Sequence, residues 1–416
     1  MRFSVLTILA FMVTPALAQP VSFASFLAEA EAADPADRPA LVEAFWQRLE
    51  KTPLVENDTT AVFLYRGEAT TVGLNGDPGQ WAETLPLTRL GGTDLWYRRV
   101  TLEPDARIEY VLMVDTAAEG FGAELEGIPD PRNPHRVESG FGPFSELAMP
   151  GYEYPEVFAP VRDGTPGSFE GLDLHTLPAG VLPYPHEVLV YTPPGYDADT
   201  TRRYPAVYFQ DGRDYVAFAH VPRVLDWLIE RGAMEPAVAV FIDPPNRHRP
   251  DAPNRVTEYG MNDAYVAFVA DEVVPFVDAT YRTNPSPARR LVVGDSYGGL
   301  IVTYIAFRRP DVFGLAYSQS GYHSFQGDRM IRLIGEAQPV PIRLYVDVGI
   351  YERVVGAGML PEEGRDFLAA NRRLRDALEA RGYDFVYAEY PQGHTWGNWR
   401  AHLLDALPHF FPSQNR

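Results

Sequence analysis

The chain has 416 residues, and its 36 lysine and arginine residues against 56 aspartate and glutamate residues give a formal net charge of −20. The apolar share of 46% and the charged share of 22% are those of a globular protein and exclude a mainly disordered chain, while the negative charge argues against nucleic acid as a partner. The chain contains no cysteine, which excludes a disulfide framework, a thiol nucleophile and a cysteine-based zinc site.

The first 18 residues are predicted to be a signal peptide that is removed on export. Arg2 supplies a positive n-region, residues 5–13 supply an apolar h-region, and residues 16–18 (Ala-Leu-Ala) supply a cleavage site, so that Gln19 would begin the mature chain. The apolar run is too short for a membrane anchor, which needs about 20 residues. We therefore expect a periplasmic or secreted protein with no membrane span in the mature chain.

Three zones follow in the chain. Residues 19–57 are predicted to be an N-terminal helical segment, because apolar residues recur there at the three- to four-residue spacing of amphipathic helices. Residues 58–115 change to a period of two, for example at 108–113, and are predicted to form a small β-sandwich domain. Residues 116–182 are rich in proline and glycine and are predicted to be a linker.

Residues 183–416 alternate between apolar strands and helices and are predicted to form the catalytic domain. The predicted strands lie at 187–191, 206–209, 237–242, 291–293, 315–318, 342–348 and 385–390, and the predicted helices at 221–231, 263–280, 299–308, 362–381 and 396–410. Strands that are apolar almost throughout indicate an α/β fold, a mostly parallel, doubly wound sheet covered by helices on both faces. The carboxyl ends of such strands meet at one edge, where ligand chemistry collects.

Ser296 is the predicted nucleophile. It lies in a G-x-S-x-G motif at residues 294–298, which follows an apolar strand and opens a helical run, as a nucleophile elbow requires. We expect the tight turn to leave room only for glycine at positions 294 and 298, and to lift the serine hydroxyl above the sheet edge, near a helix N-terminus. The alternative is a serine that caps an ordinary helix.

A serine hydroxyl needs a base, and in this arrangement the chain order is serine, acid, histidine. His394 is the predicted base, because it lies just after the last predicted strand, whereas His402 and His409 fall inside the final helix and are poorer candidates. The acid is expected after the sixth predicted strand of the domain. We favour Glu352 in that loop, with Asp347 and a Ser–His dyad as alternatives.

Two backbone N–H groups are expected to form an oxyanion hole for the developing negative charge. One is predicted to come from Tyr297, directly after the nucleophile. The other is predicted to come from Gly212 or Arg213, in the turn after the second predicted strand, where glycine permits close backbone approach.

A basic cluster follows the third predicted strand of the domain. It comprises Arg247, His248, Arg249 and Arg255, and in an acidic protein it predicts contact of Arg249 and Arg255 with an anionic substrate. The alternative is that Arg255 pairs with a nearby carboxylate. His323 is predicted to line the pocket. The chain has no H-E-x-x-H and no paired-histidine spacing, so we expect no catalytic metal and no cofactor.

Several stretches carry a resemblance to a known family. They are residues 209–212 (Phe-Gln-Asp-Gly), 255–259 (Arg-Val-Thr-Glu-Tyr), 294–299 (Gly-Asp-Ser-Tyr-Gly-Gly), 318–321 (Ser-Gln-Ser-Gly), 349–352 (Gly-Ile-Tyr-Glu) and 393–396 (Gly-His-Thr-Trp), with residues 90–97 and 108–110 in the β-rich zone. Through them about 350 residues resemble the enterochelin (enterobactin) esterases, in the esterase D-like branch of the α/β-hydrolase superfamily.

The resemblance implies an α/β-hydrolase fold preceded by a small β-sandwich. Together with the predicted signal peptide, it implies an exported serine carboxylic-ester hydrolase that cleaves the trilactone of a catecholate siderophore, a small-molecule substrate. The alternative substrate is a feruloyl or acetyl ester of a plant polysaccharide, and an acyltransferase would use the same acyl-enzyme. A non-catalytic glycan-binding protein is the hypothesis from a different class.

Overall fold

The computed structural model describes residues 22–116, 126–244 and 255–413. The chain divides into a first unit of residues 1–50 with 91–93 and a second unit that holds the remainder. The predicted signal peptide lies outside the described residues. No helix within the described ranges is long and apolar enough to cross a lipid bilayer.

The first unit is built from two helices, α1 (Phe23–Ala32) and α2 (Arg38–Arg48), which fall within the predicted helical segment. Helix α1 begins after Ser22, whose hydroxyl oxygen accepts the N–H of Ser25 at 3.2 Å and so caps the first turn. The two helices meet through their aromatic residues, and the rings of Phe26 and Phe45 stack with centroids 4.0 Å apart. Aromatic burial therefore holds this small unit together.

The second unit begins with a β-sandwich, as predicted. Its nine strands, counted within the described residues, form two antiparallel sheets in the orders β1-β2-β6-β5 and β4-β3-β7-β9-β8. The strands are β1 (Leu54–Asn57), β2 (Thr60–Arg66), β3 (Val72–Gly76), β4 (Leu85–Pro86), β5 (Thr88–Arg89), β6 (Leu95–Thr101), β7 (Arg107–Val114), β8 (Arg136–Val137) and β9 (Phe144–Ala148). Phe63 and Trp96 of one sheet share a core with Ile108, Tyr110 and Leu147 of the other.

The segment 116–182 differs from the predicted linker, because it supplies strands to two different sheets. Strands β8 and β9 complete the sandwich, and a further strand, β10 (Asp173–Leu177), lies at the edge of the large sheet described next. These strands have two to five residues each. Such short runs in a proline- and glycine-rich segment carry too little periodicity to be recognised from the sequence.

The large sheet has the predicted α/β architecture. In the described part of the chain its eight strands run in the order β10-β11-β13-β12-β14-β15-β16-β17, parallel from β13 to β17 and antiparallel at the β10-β11 edge. After β10 come β11 (His186–Tyr191), β12 (Ala206–Gln210), β13 (Val238–Ile242), β14 (Arg290–Asp295), β15 (Leu315–Gln319), β16 (Arg343–Gly349) and β17 (Asp384–Tyr390). All seven strands predicted between residues 183 and 416 are present.

Helices cover both faces of this sheet. They are α3 (Gly212–Ala217), α4 (Val221–Glu230), α5 (Arg255–Tyr259), α6 (Asp263–Ala267), α7 (Val274–Thr280), α8 (Tyr297–Arg308), α9 (Phe325–Glu336), α10 (Phe367–Ala380) and α11 (Trp396–Phe410). Successive side chains of a strand point to opposite faces, so Tyr208 packs in the cluster that contains Leu300 of α8, and Phe209 in the cluster that contains Leu403 of α11. The sheet is therefore doubly wound, as predicted.

Two helix predictions need correction. The stretch predicted as one helix over 263–280 is interrupted by a π-helical segment at Phe268–Val273 between α6 and α7. The helix predicted to begin at residue 362 begins at Phe367, because Asp366 caps it by accepting the N–H of Ala369 at 2.8 Å.

Candidate active site

The predicted site residues all follow carboxyl ends of parallel strands. Gly212 follows β12, Ser296 follows β14, Glu352 follows β16 and His394 follows β17. Because these strands are parallel members of one sheet, their carboxyl ends lie at the same edge. The loops that carry the predicted residues are therefore brought together by the sheet itself.

Ser296 is the single residue between β14 and α8, and its backbone is strained. Its φ of 56° and ψ of −119° lie in a region that residues other than glycine rarely adopt. Its N–H donates to the carbonyl of Gln319, and its own carbonyl accepts the N–H of Tyr322, both at 2.9 Å. Its side chain forms no capping hydrogen bond, so the alternative of a helix-capping serine does not describe this residue.

The close approach of β14 to α8 explains the glycines only in part. A Cβ on Gly294 would lie 2.5 Å from the backbone of Gly298, so position 294 requires glycine as predicted. A Cβ on Gly298 itself would meet nothing nearer than Asp211, at 3.5 Å, which is an ordinary contact, and that part of the prediction is wrong. The second strict requirement is at Gly299, where a Cβ would lie 2.7 Å from Gly321.

His394 is oriented by Glu352 and by two aromatic rings. Its Nδ1 lies 2.7 Å from Oε2 of Glu352, and because a carboxylate only accepts, this contact places the proton on Nδ1 and leaves Nε2 as the basic nitrogen. The rings of Phe367 and Trp399 contact the imidazole edge-on, each with centroids 4.9 Å away. The imidazole is thus held by a carboxylate on one nitrogen, and its side chain remains 16% exposed.

Of the two carboxylates that the sequence left open, the structure joins Glu352 to His394. Asp347 lies inside β16, where its Oδ2 accepts the hydroxyl of Tyr317 at 2.5 Å. Burial raises the pKa of Asp347 to about 8. A carboxyl group that is protonated at neutral pH and bonded elsewhere is unsuited to stabilise an imidazolium.

The loop after β15 connects the nucleophile turn to the acid. Ser320 donates its hydroxyl to Oε1 of Glu352 at 2.6 Å and accepts the indole N–H of Trp399 at 3.0 Å. Oε1 of Glu352 also accepts the N–H of Gly349 at 2.7 Å. Since Tyr322 of the same loop donates its N–H to the carbonyl of Ser296, this loop joins the predicted nucleophile to the predicted acid, and Glu352 in turn binds His394.

Ser320 and Trp399 are site residues that the sequence reasoning missed. Ser320 is 0% exposed and adopts a positive φ of 47°. A serine after a strand and a tryptophan in a helix give no local signal of a shared hydrogen bond. The stretch that contains Ser320, residues 318–321, carries part of the family resemblance, and that was the only pointer available.

The two candidate amides for the second oxyanion donor differ in their environment. The N–H of Arg213 donates to Oδ1 of Asp243 at 3.2 Å. The N–H groups of Gly212 and Tyr297 donate to no acceptor within the described ranges. A Cβ on Gly212 would lie 2.5 Å from Phe241, so only glycine fits there. The structure therefore favours Gly212 over Arg213 as the partner of Tyr297.

Arg255 lies beside the nucleophile turn and is engaged in an ion pair. Its Nε and Nη2 bind both oxygens of Asp211, at 2.8 Å and 2.5 Å, and Nη2 is 3.8 Å from Oδ2 of Asp295. Burial, with Asp211 nearby, raises the pKa of Asp295 well above its usual range. The side chain of Arg255 remains 28% exposed. Arg249, the other predicted contact, lies outside the described residues.

His323 does not line a pocket, so that prediction needs correction. The side chain is fully buried, its Nε2 is 3.1 Å from the hydroxyl of Ser318, and burial lowers its pKa to about 3. A histidine without exposed surface cannot touch substrate in this conformation. His402 is likewise unsuited as a base, because burial lowers its pKa to about 3 and its ring stacks on Tyr390.

Known proteins with similar sequences share most of the chain. The profile of a family described as "Putative esterase" matches residues 180–410. The iron(III) enterobactin esterase of Dickeya dadantii (strain 3937) is 25% identical over 88% of this chain and 92% of its own length. That of Escherichia coli (strain K12) is 24% identical, over 80% and 83%. An uncharacterized protein of Bacillus subtilis (strain 168) is 25% identical over 53% of this chain and 89% of its own length.

Solved structures are similar to this chain over both the β-rich domain and the α/β domain. The enterobactin esterase of Shigella flexneri, crystallised in the presence of enterobactin, has a TM-score of 0.70 at 22% identity and covers 88% of this chain and 97% of its own. The ferric enterobactin esterase of Salmonella typhimurium has a TM-score of 0.71 at 20% identity and covers 88% and 98%. The fold is thus an α/β-hydrolase domain preceded by a β-rich domain.

Proposed function

The chain belongs to the putative esterase family and is a carboxylic ester hydrolase, and from this premise we propose that it is a serine esterase acting on a catecholate siderophore. The observation that carries the proposal is the bonded pair of His394 and Glu352 at the sheet edge where the strained turn presents Ser296. Relatives named iron(III) enterobactin esterases support the choice of substrate.

In the proposed acylation step, Ser296 Oγ attacks the ester carbonyl while Nε2 of His394 takes the hydroxyl proton. Glu352 keeps the imidazole in the required tautomer and stabilises the imidazolium that forms. The N–H groups of Tyr297 and Gly212 bind the oxyanion of the tetrahedral intermediate. When the intermediate collapses, the ester C–O bond breaks, and the imidazolium returns its proton to the leaving alkoxide.

In the proposed deacylation step, the same groups act on water. His394 takes a proton from a water molecule that attacks the acyl-serine, and the acid is released as Ser296 recovers its proton. The ion-paired Arg255, which keeps part of its surface exposed, is proposed as a contact for an anionic catecholate, together with Arg249, which lies outside the described residues. Export is part of the proposal and rests on the leader-like composition of residues 1–18.

The test is a hydrolysis panel run with wild-type protein and the Ser296→Ala variant. Its substrates are ferric and iron-free enterobactin, methyl ferulate, acetylated xylan and p-nitrophenyl acetate. We expect wild type to cleave enterobactin fastest and Ser296→Ala to lose nearly all turnover on every ester. Faster cleavage of methyl ferulate or acetylated xylan would contradict the siderophore substrate and support a feruloyl or acetyl ester of a polysaccharide.

A fluorophosphonate probe tests the nucleophile without a choice of substrate. We expect one adduct, on Ser296, and an unchanged adduct in the control variant Ser286→Ala, because Ser286 is an exposed serine of the same unit that forms no capping bond. A folded wild-type protein that forms no adduct would contradict the serine mechanism.

A further inference from the structure

The outer face of the sandwich carries charged side chains that are buried. In β7, Arg107 and Glu109 project away from the sandwich core and are 1% and 0% exposed. Charged residues are almost never fully buried unless they are paired. The segment around His394 covers them. The N–H of Arg107 donates to the carbonyl of Pro391 at 3.2 Å, and its guanidinium leaves no room for a Cβ on Gly397.

Glu109 supplies a hydrogen bond that the start of α11 lacks locally. Thr395, at the N-cap position, forms no side-chain capping bond, so the first N–H groups of the helix need other acceptors. Oε1 of Glu109 accepts the N–H of Gly397 at 3.0 Å, from a position 288 residues earlier in the chain. Its negative charge also matches the positive end of the helix dipole. The helix that begins two residues after His394 is therefore capped by the sandwich.

A second carboxyl group packs behind the residue that precedes the base. Asp77 lies in the turn after β3, where it accepts the N–H of Glu109 at 2.8 Å and the indole N–H of Trp81 at 2.7 Å. Its Oδ1 occupies the place where a Cβ on Gly393 would lie. Asp77 and Glu109 thus contact the two ends of the five-residue segment 393–397, whose second residue is His394.

The loop that carries Glu352 is tied to the same domain. Tyr351, the preceding residue, packs against the sandwich core and donates its hydroxyl to Glu103. The N–H of Tyr351 donates to the carbonyl of Gln392 at 3.2 Å, which joins this loop to the segment around His394. Both members of the His–Glu pair are therefore held by loops that rest on the sandwich.

We propose that Glu109 is a positioning residue for His394, so that the β-sandwich completes the esterase site. This inference rests on the proposed role of His394 as the base. A purely structural role for Glu109 would change how many molecules are correctly assembled and leave each assembled site as fast as before. A positioning role instead slows the acylation step at each assembled site with little change in KM, because the orientation of the imidazole matters while the proton moves.

The experiment compares Glu109→Ala, Glu109→Gln and the control Glu56→Gln in the full chain. Glu56 is a sandwich residue whose ion pair with Arg99 lies within the same sheet. A burst of p-nitrophenol from p-nitrophenyl acetate counts the active sites and gives the acylation rate constant. Hydrogen exchange of the peptide spanning residues 391–400 reports on the segment itself, whether or not the protein turns over.

We expect Glu109→Ala to slow acylation per titrated site about tenfold and to speed exchange in residues 391–400, with KM within about twofold. Glu109→Gln keeps an oxygen that can accept the N–H of Gly397 and should lose only about threefold. Glu56→Gln should match wild type. Wild-type acylation per site in Glu109→Ala, with fewer sites or a lower melting temperature, would overturn the proposal.

Should Glu109→Ala fail to fold, Glu109→Gln decides the question alone: slower acylation and faster exchange support the proposal, and wild-type values for both overturn it. The outcome is separable from that of the proposed function. If Ser296→Ala retained full activity, the serine mechanism would fail, yet exchange in residues 391–400 would still show whether Glu109 holds the segment.

Discussion

Ser296 and His394 lie at one sheet edge, but different parts of the chain hold them. The Ser296 turn is fixed by its own strand and helix, by Gly294 and Gly299, and by backbone bonds to the loop after β15. The segment around His394 is bonded to Glu352 and to the side chain of Asn398, and it also accepts support from the sandwich, through Glu109. The turn of Ser296 is therefore held by residues no more than 26 positions away, whereas the segment around His394 is also contacted by a residue nearly 300 positions away.

Because they are held differently, the Ser296 turn and the segment around His394 should tolerate substitutions differently. A local, backbone-defined turn fails when a side chain no longer fits, because protein interiors leave no spare volume. A segment held by long-range polar contacts fails gradually, because each contact contributes about 0.5–1.5 kcal/mol. Substitutions at the Ser296 turn should therefore act through steric clashes, and substitutions around His394 through the loss of single polar contacts, with effects of different size.

The largest effect should come from the chemical groups themselves. We expect Ser296→Ala and His394→Ala each to lower kcat about 10⁴-fold or more, and the double variant to be no worse than either single one, because such residues act as a unit. Steady-state kinetics on p-nitrophenyl acetate, with unfolding curves as the folding control, measure this. Losses that multiply in the double variant would show that the two sides work independently.

The two buried carboxylates near the base provide the next test. We expect Glu352→Gln to lower kcat about 10³–10⁴-fold, because Gln can present its amide to His394 Nδ1 and favour the wrong tautomer. Asp347→Asn should stay within about threefold of wild type, because burial raises the pKa of Asp347 to about 8 and Asn replaces an already neutral group. Equal losses in the two variants would contradict the assignment of Glu352.

The strands of the large sheet were predictable because each is a long apolar run between turn signals. The pairing of His394 with a carboxylate was predictable from the fixed order of strands and loops, and Glu352 was favoured over Asp347 because it lies in the loop after the strand. The partner of Asp347 was not predictable, because it depends on the direction in which that side chain projects from β16. In the structure, Asp347 accepts a hydrogen bond from Tyr317.

What the sequence did not reveal depends on contacts between distant residues. Ser320 reaches Glu352 across 32 residues, Trp399 reaches Ser320 across 79, and Glu109 reaches Gly397 across 288. No periodicity encodes such contacts. Glu109 lies on the face of β7 opposite the sandwich core, and the usual interpretation of such a face is exposure to solvent.

Two glycines of one motif should respond differently to the same change. Gly294→Ala puts a Cβ 2.5 Å from the backbone of Gly298 and should cost about 3 kcal/mol of unfolding free energy. Position 298 lies in α8, and the Cβ of Gly298→Ala would lie 3.5 Å from Asp211, which is an ordinary contact distance. This substitution should therefore change the unfolding free energy by less than about 1 kcal/mol. Denaturant unfolding measures both. Similar costs would mean that the turn, not the space, restricts position 298.

The smallest predicted effect concerns Asp77, a titratable side chain that contacts the residue before His394. Burial, with Glu109 beside it, raises the pKa of Asp77 from 3.8 to about 7. Between these two values the folded state holds a proton that the unfolded state has lost, so the contribution of Asp77 to stability is full below pH 3.8 and declines as pH rises towards 7.

Asp77→Asn should be less stable than wild type, because its amide N–H₂ faces the N–H donors of Trp81 and Glu109. That deficit should shrink by about 2 kcal/mol between pH 5 and pH 7, since only the wild type loses stability through this group. Titrating groups that do not interact with residue 77, such as Asp347, are common to both proteins and cancel in the difference between their unfolding free energies. A difference in stability that stays constant or grows with pH would mean that Asp77 is ionised beside Gly393. Two carboxylates, Asp77 and Glu109, would then contact the segment around His394.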